Sequence, residues 1–466
     1  MPGGFAQGVA FPRTADEVAA LVREAPHVLP VGAQSSLTGG ATPRGDVVLS
    51  MRGFTSIDID AAAGRARVGA GVPLAELQQA LAPAGLYYPP VPTFDGAFVG
   101  GTLSTNAAGA ATFKYGSARR WVEALTIVLA DGSVLSIARG ERRAAELVPV
   151  PTYAMPDLPK LSAGYYARPD MDLVDLFVGS EGTLGIIVEA TLRVIPLPRK
   201  CAALLTCNSD HQAVALTAAL RAAAARAWRG DGALDVAAVE FMDARALTMV
   251  PDEAFSKAGV ARPAMGSVLV LVQIEIRGNE DAALTALIGV LEECGVESDP
   301  VLAMPGDERG AARMFELREA VPASVNRHVA GIKARVDPRV HKTAGDMIVP
   351  FARLEESLAL YRRVFEARGL RYAIWGHVSD GNLHPNVVPM SLADVDAGEQ
   401  AILEIGGEVM RMGGAPLAEH GVGRSALKQR LLAAMYGEHG IEQMRAVKRA
   451  LDPGWKLSSG VLFAPA

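Results

Sequence analysis

Val31-Gly32-Ala33-Gln34-Ser35-Ser36-Leu37-Thr38-Gly39-Gly40 follows a short apolar run, Val28 to Val31, and the fold turns on how it is read. Small residues let successive backbone N–H groups turn inward around an anion, and the hydroxyls of Ser35, Ser36 and Thr38 add donors. The stretch lacks G-x-G-x-x-G spacing and opens no helix, which disfavours a Rossmann site. Taken alone it also reads as a glycine-rich surface turn. Two further tracts tip the balance. Val99-Gly100-Gly101-Thr102-Leu103-Ser104-Thr105-Asn106-Ala107-Ala108-Gly109 leads to Lys114-Tyr115-Gly116, and its small residues let a flat ring lie against backbone. Gly179-Ser180-Glu181-Gly182-Thr183-Leu184-Gly185-Ile186-Ile187 is the third. Each alone could be a glycine-rich hairpin. Their coincidence in one region favours a ligand cradle.

Around these loops short strands and helices alternate. Apolar spacing predicts a helix over 15–23, and strands at 28–31, 47–49, 57–59 and 66–68. A helix is expected from Leu74 to Ala82, and a strand from Val122 to Leu129 ends at Ala130-Asp131-Gly132. Residues 138–169, rich in proline and charge, read as a long surface excursion. Leu176–Val178 and Ile186–Val194 bracket the third glycine tract. Ile195-Pro196-Leu197-Pro198 ends regular structure and marks a boundary. Beyond it come helices at 211–228, 280–294 and 354–367, strands at 267–276 and 372–378, and a helix near 441–450. At 466 residues two or three domains are expected, in an α+β pattern.

The net charge of -6, with basic residues scattered, argues against a nucleic-acid partner. Three cysteines, Cys201, Cys207 and Cys294, do not make a disulfide framework and point to a reducing compartment. No signal peptide or transmembrane stretch is apparent. A cytoplasmic protein is expected, with a peripheral membrane contact left open.

A second constellation lies far along the chain. Tyr372 to Val378 and Leu383 to Val388 flank Ser379-Asp380-Gly381-Asn382, and Asp-Gly signals a two-residue hairpin turn. That register sets His377 opposite His384 on one face, with Trp375 and Asn386 as the next pair. A one-residue bulge would break it. Two opposed imidazoles suit a divalent cation or serve as a structural pair. Ala418-Glu419-His420-Gly421-Val422-Gly423 adds a carboxylate and a third histidine.

Taken together, these tracts resemble the FAD-linked oxidase family, with a flavin domain of the vanillyl-alcohol-oxidase type. Within it the chain is similar to the D-lactate, glycolate and D-2-hydroxyglutarate dehydrogenase branch. The resemblance spans nearly the whole chain. It implies an α+β fold with a two-subdomain FAD-binding domain (1–198) and a substrate or cap domain whose antiparallel sheet is covered by helices and carries the metal hairpin (199–415). A C-terminal segment (416–466) completes the active site and returns toward the FAD domain. It implies that Val31, Gly32, Ala33, Gln34, Ser35 and Ser36 hold the FAD pyrophosphate. Contacts to the rest of FAD fall on Gly100, Gly101, Thr102, Ser104, Thr105, Asn106 and Gly109, on Tyr115 and Gly116, and on Glu181, Gly182, Gly185, Ile186 and Ile187. Relatives with covalent flavin often carry a histidine in the first loop; none stands there, so non-covalent FAD is expected.

The resemblance further implies His377, His384 and Glu419 as ligands of a divalent metal, zinc or manganese. His420 matches the active-site base, Asn386 a substrate contact, and Arg318 the partner of the substrate carboxylate. The other reading of Arg318 is a surface salt bridge. The implied reaction is oxidation of a small 2-hydroxy acid: the metal favours the alkoxide, His420 takes the hydroxyl proton, and hydride passes from C2 to flavin. The acceptor of the electrons stays open among quinone, cytochrome, electron-transfer flavoprotein and oxygen, and a homodimer is one assembly considered. Some features depart from the family pattern. The lysine that relatives place two residues before an aspartate is displaced in His341-Lys342-Thr343-Ala344-Gly345-Asp346, and Ser458-Ser459-Gly460 stands where relatives carry Asn-Pro-Gly. The substrate therefore stays open among the three acids. Two other readings are a redox-neutral flavoenzyme resembling alkylglycerone-phosphate synthase and a non-catalytic flavin-binding subunit of a dehydrogenase complex.

Overall fold

A computed structural model describes residues 3–169 and 171–464. The chain divides into two compact units. The first comprises residues 1–109, 115–197 and 417–466, the second residues 110–114 and 198–416.

The first unit holds two main sheets. Gly8–Ala10 and Val28–Val31 pair in parallel with Val47–Ser50 between them. Ile57–Asp60, Arg65–Gly69, Ile186–Arg193, Val122–Val128 and Val134–Ala138 form a five-stranded antiparallel sheet in that spatial order. The first helix, Ala15–Glu24, starts where Thr14 accepts the amide of Glu17 at 3.2 Å, and it buries Val18, Ala19 and Val22 on one stripe. Burying each valine is worth roughly 1.5–3 kcal/mol. The segment after Asp452 returns to the small sheet, where Val28 donates to the carbonyl of Lys456 at 2.8 Å.

Three expectations change here. Residues 138–169 are not a surface excursion throughout, because Lys160, Ala163 and Tyr165 are buried. Leu173–Phe177 is a helix capped by Asp172, so the third glycine tract joins a helix to the strand Ile186–Arg193. The C-terminal helix begins earlier, at Ala426, and runs to Leu451 with a break at Gly437, whose φ is +66°.

The second unit is built on one antiparallel sheet. Its strands run Val301–Ala303, Lys200–Cys207, Val268–Glu275, Asp235–Met242, Tyr372–His377, Asn382–Val387 and Thr343–Ala344 in spatial order, with Met347–Ile348 continuing along Asn382–Val387. The 28-residue helix Glu308–Arg335 packs Met314, Leu317, Val321 and Val325 against Met242, Leu269 and Leu271 of one sheet face. Asp307 caps it, accepting the amide of Gly310 at 2.9 Å. Pro322 within it removes the amide that would bond the carbonyl of Arg318.

The histidine hairpin does not have the expected register. His377 stands opposite Asn382, Trp375 opposite His384, and Ala373 opposite Asn386. The turn uses four residues, a 3-10 turn at Val378–Asp380 followed by Gly381 at φ +83°. A Cβ on Gly381 would meet the carbonyl of Val349 at 2.2 Å, so glycine is required by space as well as by angle. Because the slip is two residues, His377 and His384 keep a common face and become diagonal neighbours, with ring centroids 5.5 Å apart.

Candidate active site

The three glycine tracts all lie in the first unit, and each is pinned by one non-glycine residue in left-handed backbone: Gln34 at φ 55°, Asn106 at 49° and Glu181 at 52°. Such residues carry strain that the surroundings must hold. Asn106 accepts the amide of Arg119 through Oδ1 at 3.0 Å. The amides of Gly179 and Glu181 donate to the carbonyls of Leu103 and Ser104, at 2.9 and 2.7 Å, which joins the third tract to the second. Glu181 in turn receives the amides of Val422 and Gly423 on its two carboxylate oxygens at 2.7 and 2.8 Å. Burial pushes its carboxyl up to about 7, against the pull of those two amides. Arg424 donates its amide to the carbonyl of Thr38 at 3.0 Å, tying in the first tract. Residues 417–424 therefore clasp the loops together from the far end of the sequence.

Several hydroxyls in these tracts are engaged locally. Thr102 donates to the carbonyl of Val99, Ser104 to that of Gly100 and Thr105 to that of Gly101, at 2.8, 2.7 and 3.1 Å. These three lie in or just after the short helix Val99–Ser104. Gly100 is packed tightly, since a Cβ there would meet the Ala70 methyl at 2.7 Å, whereas one on Gly101 would meet nothing within 4 Å. Val31 ends its strand, Ser36 accepts the amide of Gly40 at 3.3 Å, and Ile186 and Ile187 are buried in theirs. Tyr115 packs edge-on against Trp121, and its carbonyl accepts the indole N–H at 2.9 Å. Gly116 and Gly182 take positive φ of 74° and 71°. Glu419 and His420 belong to the same unit. Lys160, fully buried, donates to Glu419 Oε2 at 2.6 Å, and His420 Nε2 lies 3.9 Å from Glu419 Oε1.

The second unit presents its own constellation on the face shared by Trp375, His377, His384 and Asn386. Glu240, on the neighbouring strand, pairs directly with His377, and its Oε1 meets His377 Nδ1 in a short hydrogen bond. The other oxygen accepts Arg318 Nε at 2.6 Å. Burial pushes the Glu240 carboxyl up, but His377 and Arg318 outweigh it and hold the group well below the usual carboxylate range. On the opposite flank, continuing register sets Asp346 across from His384, with Oδ1 3.5 Å from Nδ1. Asp346 is fully buried and accepts Asn382 Nδ2 at 3.1 Å. His377 Nδ1 is thus hydrogen-bonded to its carboxylate, whereas Asp346 stands near His384 Nδ1 without a hydrogen bond. Asn386 faces Ala373 and Ala344 and donates to the carbonyl of His384 at 2.6 Å.

Arg318 is not a surface residue. It is buried, with Nη1 on Glu319 at 2.7 Å besides the Nε bond to Glu240, which leaves Nη2. Lys342 precedes Ala344 by one strand period, so it shares the face of Asn386, and its Nζ lies 5.7 Å from the Trp375 ring centre. Burial pulls its ammonium down to about 8.

Comparison with known proteins gives the relationship. Residues 6–138 match a model described as "FAD binding domain" and residues 190–462 one described as "FAD linked oxidases, C-terminal domain". The chain belongs to the FAD-linked oxidase family. It is 31% identical over 471 residues to a D-2-hydroxyglutarate dehydrogenase of Xanthomonas citri, covering 98% of this chain and 89% of that protein. It is 28% identical to the glycolate oxidase subunit GlcD of Bacillus subtilis (98% and 88% covered) and 27% to a D-lactate dehydrogenase of Archaeoglobus fulgidus (97% and 90%). Among solved structures, an alkyldihydroxyacetonephosphate synthase aligns with a TM-score of 0.65 at 16% identity, covering 97% of this chain and 75% of that one, a likeness of fold alone. No helix among the described residues is long and apolar enough to cross a membrane.

An FAD-linked oxidoreductase needs a cradle of backbone donors and an open face for a ring. The positive-φ residues, the engaged hydroxyls and the open side of Gly101 fit that need. The donor set of the histidine face also fits a metal, since His377, anchored at Nδ1 by Glu240, directs Nε2 away from that carboxylate and His384 lies beside it on the same face. Reasoning from sequence missed Glu240, Asp346 and Lys160. A lone acid within the apolar stretch 236–242 was the available signal for Glu240, because a buried charge requires a partner.

Proposed function

We propose that this chain oxidises a small 2-hydroxy acid of the D-lactate, glycolate or D-2-hydroxyglutarate class to the 2-oxo acid, using non-covalent FAD and a divalent metal, zinc or manganese, held by His377, His384 and Glu419. The observation that carries it is a buried pair of histidines on one sheet face, His377 hydrogen-bonded to Glu240 and His384 near Asp346, in an FAD-linked oxidase. The names of the relatives support the substrate class. Bound FAD would supply the hydride acceptor and a metal on the three ligands would supply Lewis acidity toward the substrate hydroxyl. His420 takes the hydroxyl proton. Asn386 orients the substrate from the histidine face. Arg318 through Nη2, and Lys342 through its ammonium, receive carboxylate. Anaerobic addition of the three acids tests the reading: one of them bleaches the oxidised flavin, and its 2-oxo acid is recovered in equal amount. Failure of every acid to reduce the flavin would leave a redox-neutral or non-catalytic flavoprotein. Acid precipitation of the same preparation releases FAD into the supernatant, and flavin retained by the pellet refutes non-covalent binding.

The role of Lys342 has its own signature. Lys342→Met is expected to raise KM by about 10- to 100-fold, since a charge-assisted hydrogen bond contributes about 1.5–3 kcal/mol. The ammonium is present below its pKa of about 8 and lost above it. Wild-type KM therefore rises as pH passes about 8, and the variant's KM does not follow. A KM unchanged by the substitution would remove Lys342 from substrate binding.

A further inference from the structure

Resting on the metal reading above, we infer that Glu240 is a positioning residue: it fixes the tautomer and ring plane of His377 so that Nε2 is the ligand atom, and Arg318 holds Glu240 in that pose. The argument is geometric. Glu240 sits mid-strand, between Leu271 on one neighbouring strand and His377 on the other, and is buried. A carboxylate there accepts through two oxygens in different directions. One takes His377 Nδ1 and the other takes Arg318 Nε at 2.6 Å, so the group cannot rotate without breaking a bond. With the Nδ1 proton committed to Glu240, the remaining lone pair of the neutral ring is on Nε2, across the ring. A carboxylate behind an imidazole also makes it a more basic ligand.

His384 has a looser neighbour: Asp346 Oδ1 lies 3.5 Å from Nδ1 without a hydrogen bond and is itself steadied by Asn382. Glu240 comes from the strand on one side of the hairpin, Asp346 from the segment on the other. Arg318 thereby acquires a second role, because its Nε supports the carboxylate behind His377 whatever Nη2 meets.

The test measures metal affinity in the full-length, FAD-loaded protein, by competition for Zn2+ against a chromophoric chelator. Wild type binds Zn2+ and His384→Ala does not. Glu240→Gln binds about 10- to 100-fold more weakly, the range expected for loss of an outer-shell partner. Retained FAD shows that the first unit is folded, and near-ultraviolet circular dichroism reports the second. Because Glu240→Gln leaves Arg318 buried beside a neutral group, Glu240→Gln/Arg318→Met is measured as well, with the same weakening expected. A third reading needs no variant at Glu240. In Zn2+-loaded wild type labelled with 15N-histidine, His377 shows a protonated Nδ1 and a metal-bound Nε2, assigned by the signals lost in His377→Gln. Wild-type affinity in a folded Glu240 variant, or coordination through Nδ1, overturns the inference while leaving the metal reading intact. No Zn2+ uptake by wild type overturns both.

Discussion

His384→Ala is expected to purify with its full complement of FAD, to hold no divalent metal after gel filtration, and to oxidise hydroxy acid at least about a hundredfold more slowly than wild type. Outer-shell partners of a metal alone are worth about 10- to 100-fold, and a ligand itself is worth no less. The separation of effects follows from where the residues sit. His384 is buried in the sheet of the second unit, while the glycine tracts proposed to cradle FAD belong to the first and are pinned by hydrogen bonds among themselves and to residues 417–424. Removing the imidazole leaves those bonds untouched. A chelator applied to wild type should reproduce the phenotype, and added Zn2+ or Mn2+ should reverse the chelator's effect but not the variant's. His377→Ala is the harsher change, because it strips a partner from the buried Glu240–Arg318 pair and costs stability as well as metal. Full turnover by a metal-free preparation would take the metal out of the mechanism, and would leave the paired histidines as core residues.

How far the sequence led depended on the range of each interaction. The helices at Ala15–Glu24 and Asp210–Trp228 were legible because apolar spacing and an alanine-rich run are local. The common face of His377 and His384 was legible for a related reason. Strand periodicity fixes which residues share a face, and a slip of two residues preserves it. The register itself was not legible. The turn is set by Ser379, whose hydroxyl accepts the amide of Val239 at 3.0 Å, and by Val349 against Gly381, both distant in sequence. Residues 138–169 misled by their composition. Proline and charge usually mark surface, yet Lys160 is buried because Glu419, 259 residues later, neutralises it. Glu240 hid in the same way, with its histidine partner 137 residues away. Of the three glycine tracts, the first two fall within the matched FAD domain and the third lies between the two matched models, so its proposed contact with FAD rests on the family resemblance.

His420→Asn should keep FAD and metal and lose flavin reduction by about a hundredfold to ten-thousandfold, the usual worth of a general base. The loss should fall on the single-turnover rate more than on substrate affinity, since proton removal matters most in the transition state. Asparagine fills similar space and keeps a hydrogen-bonding group but cannot take the proton. The competing account gives His420 a supporting role beside Glu419, whose Oε1 is 3.9 Å from its Nε2. That account has a weakness in the geometry. Glu419 is already anchored through Oε2 by the buried ammonium of Lys160 at 2.6 Å, a far stronger hold than a distant imidazole supplies. If Lys160 is what supports Glu419, Lys160→Met should release the metal and His420→Asn should not. Measuring metal content and single-turnover reduction on both variants separates the roles. A His420→Asn protein that retains its metal and reduces flavin near the wild-type rate would exclude His420 as the base; one that loses its metal would make it a support for Glu419 instead.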